Sequence, residues 1–375
     1  MVRAIRGNIE GCLQLILVML FLSSGITTAQ TRLDTLVAEL NGKSGIERYD
    51  QLLKISYELL FTNPEKTSGY IDEALKIASD LNDDEEKGKV YFASAQIYHR
   101  LGKRNQALEQ LTIAKEYYSK LNDKYRISQI DNITGLIYTD LKRYDLALDI
   151  FTRVLNYYNE TGRFEDYSSI LINVANIFLE KKNYDKALEG YFKVLEIGKK
   201  LNLKNKELLA IVYCNIGEVY YNKGQYDLSF KYRKMSLDTY EEMNFLDGIA
   251  NLQMDVGMSL MKLKDFAQAR LYLNKALANY KKINYSEGVR RVVESTILLN
   301  LERNQLDDAL YLSRELERMS ISEQDSAMLS KCYGLLAKIF HATGEYESAA
   351  RYYQKYLQTR EMLDAKENRQ RMTEL

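Results

Sequence analysis

Few side chains in this 375-residue sequence have the types and spacing that catalysis or metal binding requires. Its two histidines, His99 and His341, lie about six copies apart in the sequence repeat described below, and stacked copies contact only their neighbours, so the two cannot share a metal ion or act together in catalysis. The sequence contains no glycine-rich phosphate loop, no CxxC pair and no HExxH motif. Its many carboxylates occur where the solvated face of a helix is expected. We therefore predict no catalytic residue, no metal site, no cofactor and no enzymatic activity.

One series of polar side chains could instead bind a ligand through hydrogen bonds. Its members recur at nearly constant spacing, and they are polar in the middle of the chain and apolar towards both ends. In order they are Ala93, Ile133, Asn173, Asn215, Asp255, Ser295 and Leu335. An asparagine amide offers a donor and an acceptor, which are the groups that pair with a peptide backbone. We predict that the four polar members form a binding ladder; the alternative is that they only satisfy neighbouring helices.

A regular sequence repeat determines where these side chains lie. One small residue recurs at spacings of 40, 40, 42, 40, 40 and 40, at Ala107, Ala147, Ala187, Ser229, Ala269, Ala309 and Ala349. Earlier in most repeats, a small residue precedes a large one by three positions: Ala95 and Tyr98, Gly135 and Tyr138, Ala175 and Phe178, Gly217 and Tyr220, Gly257 and Leu260, Ala337 and Phe340. Residues three apart share one face of a helix. Each repeat is therefore predicted to be a pair of helices that approach closely at the small residues.

These positions resemble the pattern of the tetratricopeptide repeat family. The family's small residue, tyrosine, alanine and large residue appear as Gly135, Tyr138, Ala147 and Phe151. The period is 40 rather than the usual 34 of the family, which indicates longer helices or longer loops. The tryptophan and the closing proline of the family pattern are missing.

The resemblance implies an all-α fold, a right-handed α-solenoid of about eight helix-turn-helix repeats. In tetratricopeptide proteins the first helices line a concave face, and some members hold an extended peptide there with an asparagine ladder. It therefore implies a protein or an extended peptide as the partner. Two cysteines, Cys214 and Cys332, are predicted to be unpaired core residues because repeats contact only their neighbours.

The first 29 residues differ from the repeats and match a secretory signal peptide. Arg3 and Arg6 precede an apolar stretch from Leu13 to Leu22, and Ala29 ends a run of small residues. The apolar stretch is shorter than the roughly 20 residues of a membrane-spanning helix. We expect export to the periplasm or another extracytoplasmic location.

The expected order along the chain is a signal peptide (1–29), a lead-in (30–43), the repeat solenoid (44–356) and a charged helical exit segment (357–375). Within the solenoid we expect a degenerate first repeat at about 44–82 and seven clearer repeats at about 88–356. No glycine or proline ends the last helix, so we interpret the exit segment as truncated.

The layout of signal peptide, repeats and charged exit helix resembles the sensor part of bacterial signalling proteins. In those proteins tetratricopeptide repeats precede a membrane span and a histidine kinase or a DNA-binding output domain. We therefore expect a sensor region, tethered to the membrane through a part beyond Leu375. The alternative is a free-standing periplasmic scaffold for envelope proteins. The balance of 52 basic and 52 acidic residues argues against a nucleic-acid partner, and the mature segment has no membrane-spanning stretch.

Overall fold

A computed structural model of the chain describes residues 33–60, 63–201 and 205–373. The predicted signal peptide, 1–29, lies outside these residues. The described chain consists of helices and turns without strands, and it divides into two compact units, one up to Lys181 and one from Lys182 to Thr373. The boundaries 44–356 for one repeat domain stay a prediction.

The first unit contains a short helical segment at 33–38 and, among its described residues, seven long helices. The long helices are α1 (Gly45–Leu59), α2 (Pro64–Asp80), α3 (Asp84–Arg100), α4 (Arg104–Lys120), α5 (Lys124–Asp140), α6 (Tyr144–Glu160) and α7 (Phe164–Glu180). Within this unit, each long helix packs against the next one along the chain. Asn63 begins α2 as its N-cap, with its side chain accepting a hydrogen bond from the backbone N–H of Lys66, and Pro64 follows at the first helical position.

The second unit contains nine long helices within the part of it that is described. They are α8 (Tyr184–Leu201), α9 (Lys206–Asn222), α10 (Tyr226–Met243), α11 (Leu246–Lys262), α12 (Phe266–Lys282), α13 (Ser286–Glu302), α14 (Leu306–Ser322), α15 (Ser326–Ala342) and α16 (Tyr346–Thr373). Here too each helix packs against its successor. The all-α architecture of consecutive helix pairs, the α-solenoid class predicted from the sequence, is confirmed.

Long helices, rather than long loops, account for the length of the repeat. Helices α3 to α7 begin at positions 84, 104, 124, 144 and 164, and each has 17 residues. Successive helices therefore start 20 positions apart, and two of them complete the period of 40 that the sequence shows.

A residue with a left-handed backbone ends most helices at the same regular spacing. The set is Gly102, Asn122, Lys142, Gly162, Lys182, Gly224, Asn244, Lys264, Asn284, Asn304, Gln324 and Gly344. At Gly102 the N–H donates to the carbonyl of His99 at 3.0 Å, and the N–H of Lys103 donates to the carbonyl of Tyr98 at 2.9 Å. This pairing satisfies carbonyls that the end of a helix would otherwise leave free. The chain therefore reverses direction within a short turn.

The small residues of the repeat let paired helices approach closely. A Cβ added to Gly135 on α5 would lie 2.6 Å from ring carbon Cε1 of Phe151 on α6, and Phe151 is fully buried. The repeat-defining alanines are all buried: Ala95, Ala107, Ala147, Ala175, Ala187, Ala269, Ala309, Ala337 and Ala349. The large partners are buried or half-buried: Tyr98, Tyr138, Phe178, Tyr220 and Phe340.

Candidate functional site

In the first unit, the predicted ladder contains a pair of asparagines. Asn173 on α7 donates from Nδ2 to Oδ1 of Asn132 on α5, at 3.1 Å. Asn132 is 7% exposed, whereas Asn173 is half-buried, and its own Oδ1 has no hydrogen-bond partner among the described residues. The pair therefore presents an open amide acceptor.

Asn132 was missed by the sequence reasoning because it lies one position before the residue that the predicted series assigns to α5. The series member of α5 is Ile133, which is 2% exposed and belongs to the core. A search for asparagines that recur at nearly the repeat spacing would have found Asn132 beside Asn173.

In the second unit, the three other ladder residues lie on successive first helices. Asn215 on α9 is 7% exposed, Asp255 on α11 is half-buried, and Ser295 on α13 is 6% exposed. The hydroxyl of Ser295 donates to the carbonyl of Arg291 within its own helix, at 3.0 Å. Ser295 therefore has no donor left for a ligand, and this bond favours the structural interpretation for that member.

In the second unit, the helix face that holds the ladder residues also lines an open hollow. Positions three and seven after Asp255 and Ser295 lie on the same face as those residues, because a helix has 3.6 residues per turn. A hollow of about 440 Å³ opens there, between α11 and α13 and beside the end of α9. Its lining consists of Tyr221, Met258, Met261, Lys262, Leu298, Leu301 and Glu302. The sequence reasoning missed it, since no single helix contains more than a few of these residues.

An ion pair borders the hollow and joins its two principal helices. Glu302 on α13 accepts from Lys262 at the end of α11 at 3.3 Å, and from Lys264 in the following turn at 2.6 Å. The hydrogen bond from Lys264, together with Lys262, holds the pKa of the Glu302 carboxyl below its ordinary value, against a smaller opposing effect of burial. The carboxylate is therefore ionised and fully engaged at neutral pH.

A buried arginine, Arg233 on α10, lies beneath the hollow. It is 6% exposed, and its guanidinium carbon is 4.6 Å from the ring centre of Tyr221. Nη1 donates to the backbone oxygen of Asp255 and to the hydroxyl of Ser259, both at 2.9 Å, while Nε has no hydrogen-bond partner among the described residues. A Cβ at Gly217 would lie 2.7 Å from Cγ of Arg233, so the glycine makes room for the arginine stem.

Arg233 occupies the large-residue position of its repeat. The equivalent residues, four after the small residue of the second helix, are Phe151, Tyr191 and Leu273 in other copies, and all are buried. The sequence reasoning did not single out this substitution, although counting four residues on from Ser229 would have found it. A charge therefore replaces an apolar side chain in this core.

The nucleophilic and titratable side chains elsewhere do not form a reactive centre in the part of the chain that is described. The two cysteines of this part, Cys214 and Cys332, are unpaired. Burial raises the pKa of the Cys332 thiol to about 12 and that of Cys214 further, so both remain protonated at neutral pH. His99 lies 3.2 Å from a carboxylate oxygen of Asp140. No group of three or more potential metal ligands occurs in these residues, and none of their helices is long and apolar enough to cross a membrane.

Comparison with known families decides the repeat type. A tetratricopeptide repeat model matches residues 166–242 and 208–282, and a second tetratricopeptide repeat model matches residues 332–367. The chain therefore contains tetratricopeptide repeats in these two regions. No curated protein sequence matched this chain.

Solved structures share the fold at low sequence identity. The apo form of the quorum sensor NprR from B. thuringiensis is 19% identical, covers 87% of this chain and 91% of its own, and gives a TM-score of 0.67. NprR in complex with its cognate peptide NprX is 19% identical. That match covers 94% of this chain and 99% of the other, with a TM-score of 0.53. A STAND signal-transduction ATPase with a tetratricopeptide repeat sensor, from Pyrococcus horikoshii, is 17% identical. That match covers 91% of this chain and 55% of the other, with a TM-score of 0.63. These similarities concern the fold alone.

Proposed function

We propose that this tetratricopeptide protein is a non-enzymatic module that binds a protein segment or an extended peptide on the first helices of its repeats. The observation that carries the proposal is the amide pair of Asn132 and Asn173, which joins the first helices α5 and α7 of neighbouring repeats. An extended backbone alternates donors and acceptors. The free Oδ1 of Asn173 can accept from one backbone N–H of such a segment.

The burial of this pair supports a binding role. Asn132 is buried and accepts from Asn173, which is half-buried, so the pair positions the Asn173 amide while its Oδ1 stays open to a ligand. NprR, which shares the fold, is complexed with a peptide in one of the structures compared above. That observation belongs to NprR, and it supports the same class of ligand for this chain as a proposal.

The experiment separates binding from stability. Peptides selected from a random decapeptide library displayed on phage would be measured by fluorescence anisotropy against the whole chain and its Asn173→Ala variant. We expect the variant to weaken binding about two- to twelvefold, since a hydrogen bond in a partly buried site contributes about 0.5–1.5 kcal/mol. The melting temperature should fall by no more than a few degrees, because the variant also removes the donor to the buried Oδ1 of Asn132.

Asn156→Ala is the matched control, because Asn156 is exposed in the middle of α6. The same chemical change there should leave both binding and melting unchanged. Unchanged binding with a lowered melting temperature in Asn173→Ala would show a structural role and contradict the proposal. Failure to select any peptide would contradict it as well.

We further propose that the module is exported and forms the sensor part of a membrane signalling protein. The N-terminal pattern of residues 1–29 supports export. Helix α16 supports an output connection, because its 28 residues continue through the charged segment as one helix to Thr373. Sequencing the gene beyond the codon for Leu375 tests this: a membrane span followed by a kinase or DNA-binding domain is the expected result. A stop codon at that point would instead favour the periplasmic scaffold.

A further inference from the structure

The hollow of the second unit lies beside a carboxylate that has no partner among the described residues. Asp255 and Met258 are three residues apart on α11, so the carboxylate of Asp255 lies about one helical turn, roughly 5 Å along the axis, from the apolar lining. Asp255 is half-buried, and its carboxylate makes no hydrogen bond or ion pair with any described residue. A partly desolvated charge of this kind is stabilised by an opposite charge.

The neighbouring carboxylates on α13 are already paired. Glu294 contacts Nζ of Lys331 at 3.2 Å, and Glu302 contacts two lysines. They therefore have little attraction left for a charged ligand. Asp255 differs from both in having its carboxylate open.

Arg233 does not pair with this carboxylate. Its Nη1 donates to the backbone oxygen of Asp255 and to the Ser259 hydroxyl, and it forms no ion pair with the Asp255 side chain. Arg233 as a whole is 6% exposed, and its guanidinium lies against the ring of Tyr221. At the hollow, Lys262 and Lys264 share the carboxylate of Glu302, so Asp255 is the nearby carboxylate that is left for a cationic group of a ligand.

From this arrangement we propose that the second unit selects an extended segment in which a large apolar residue lies beside a lysine or arginine. The apolar side chain enters the hollow between Met258 and Leu298, and the basic group pairs with Asp255. A volume of about 440 Å³ suits one or two large side chains, within the range of about 300–1,000 Å³ for ligand sites. This inference rests on the proposed function, because it names the chemistry of the ligand on the same first-helix face.

The test uses four glycine–serine octapeptides that differ at two positions. One position holds leucine or alanine, and the position two residues later holds lysine or glutamate, because alternate side chains of an extended chain point to one side. Binding to the whole chain is followed by NMR through ¹³C-labelled methionine methyl groups, which detect weak affinities. The methyl of Met258 reports on the hollow, and that of Met362, which is 64% exposed on α16, reports non-specific effects.

We expect the leucine–lysine peptide to bind about tenfold more tightly than the leucine–glutamate peptide. Asp255→Asn should weaken the lysine peptide about fivefold, in the upper range for a partly exposed ion pair. Asp227→Asn is the matched control, since Asp227 is exposed on α10 and makes no ion pair among the described residues; it should change neither affinity. Met258→Gln keeps the size and the helix preference of the side chain. It should lower the ratio of the affinities for the leucine and alanine peptides about tenfold.

The outcomes separate this inference from the proposed function. Equal affinity for the lysine and glutamate peptides, or a preference that Asp255→Asn leaves unchanged, overturns the inference while peptide binding itself stands. If the four peptides shift only the Met362 signal, the inference also fails. The proposed function is then judged by the Asn173→Ala experiment, which concerns the first unit.

Discussion

Replacing Gly135 with alanine should destabilise the first unit, although alanine is the better helix former. The new Cβ would lie 2.6, 2.8 and 3.0 Å from three ring carbons of Phe151, well inside van der Waals contact. Phe151 is fully buried, so its ring cannot move into solvent to relieve the overlap. Overpacking of this kind costs about 1–3 kcal/mol. The change from glycine to alanine returns about 0.5–1 kcal/mol in a helix interior.

The net loss should therefore be about 1–2 kcal/mol in the free energy of unfolding, within the combined ranges for overpacking and helix preference. Urea titration followed by circular dichroism at the helix band measures it. Gly69→Ala is the matched control in the same unit, because nothing lies within 4 Å of a Cβ at Gly69 on α2. That variant should gain about 0.5–1 kcal/mol.

A double-mutant cycle tests the cause directly. In a Phe151→Leu background the space opposite Gly135 is larger, so Gly135→Ala should lose much of its cost there. If Gly135→Ala proved neutral, or stabilised the protein as much as Gly69→Ala, the close helix approach inferred at this repeat position would be refuted.

Two further predictions concern the second unit. Arg233→Met should raise the free energy of unfolding by about 1–4 kcal/mol in urea titrations, because it removes a buried charge that has only neutral hydrogen-bond partners. Ser259 keeps its hydrogen bond to the Asp255 carbonyl in this variant. A loss of stability would show that the charge of Arg233 is compensated. The folded-state pKa of Glu302 is lowered, so its pairing stabilises the fold above the ordinary glutamate pKa of about 4.3, and that contribution is lost as the pH falls through the lower folded value. Glu302→Gln should therefore lose less stability than the wild type on acidification below about pH 4; identical acid profiles would contradict this.

The repeat architecture could be predicted because its signals are local. A small residue and a large one three positions later act within a single helix, and their recurrence at a constant period needs no knowledge of distant contacts. The sequence also indicated the face on which Asn173 and Asp255 lie, because equivalent positions of repeated helices point the same way.

Register and substitution details were harder to predict. Asn132 joins Asn173 from a position one residue out of phase, and a one-residue difference on a helix changes the side-chain direction by about 100°. Ser295 matched the polar series by type, but its hydroxyl is used within its own helix. Side-chain hydrogen bonding therefore decided which polar residues remain available.

By itself, the sequence determined the helix pairs, their period and the small residues at which they meet, since these follow from local spacing and size. Only the tertiary structure decided that Met258 and Leu298 line one hollow, that Arg233 lies buried beneath Tyr221, and that Asp255 has no partner among the described residues. These properties depend on distances between side chains of different helices. Such distances are set by packing, in which residues far apart along the chain come within a few ångströms of one another.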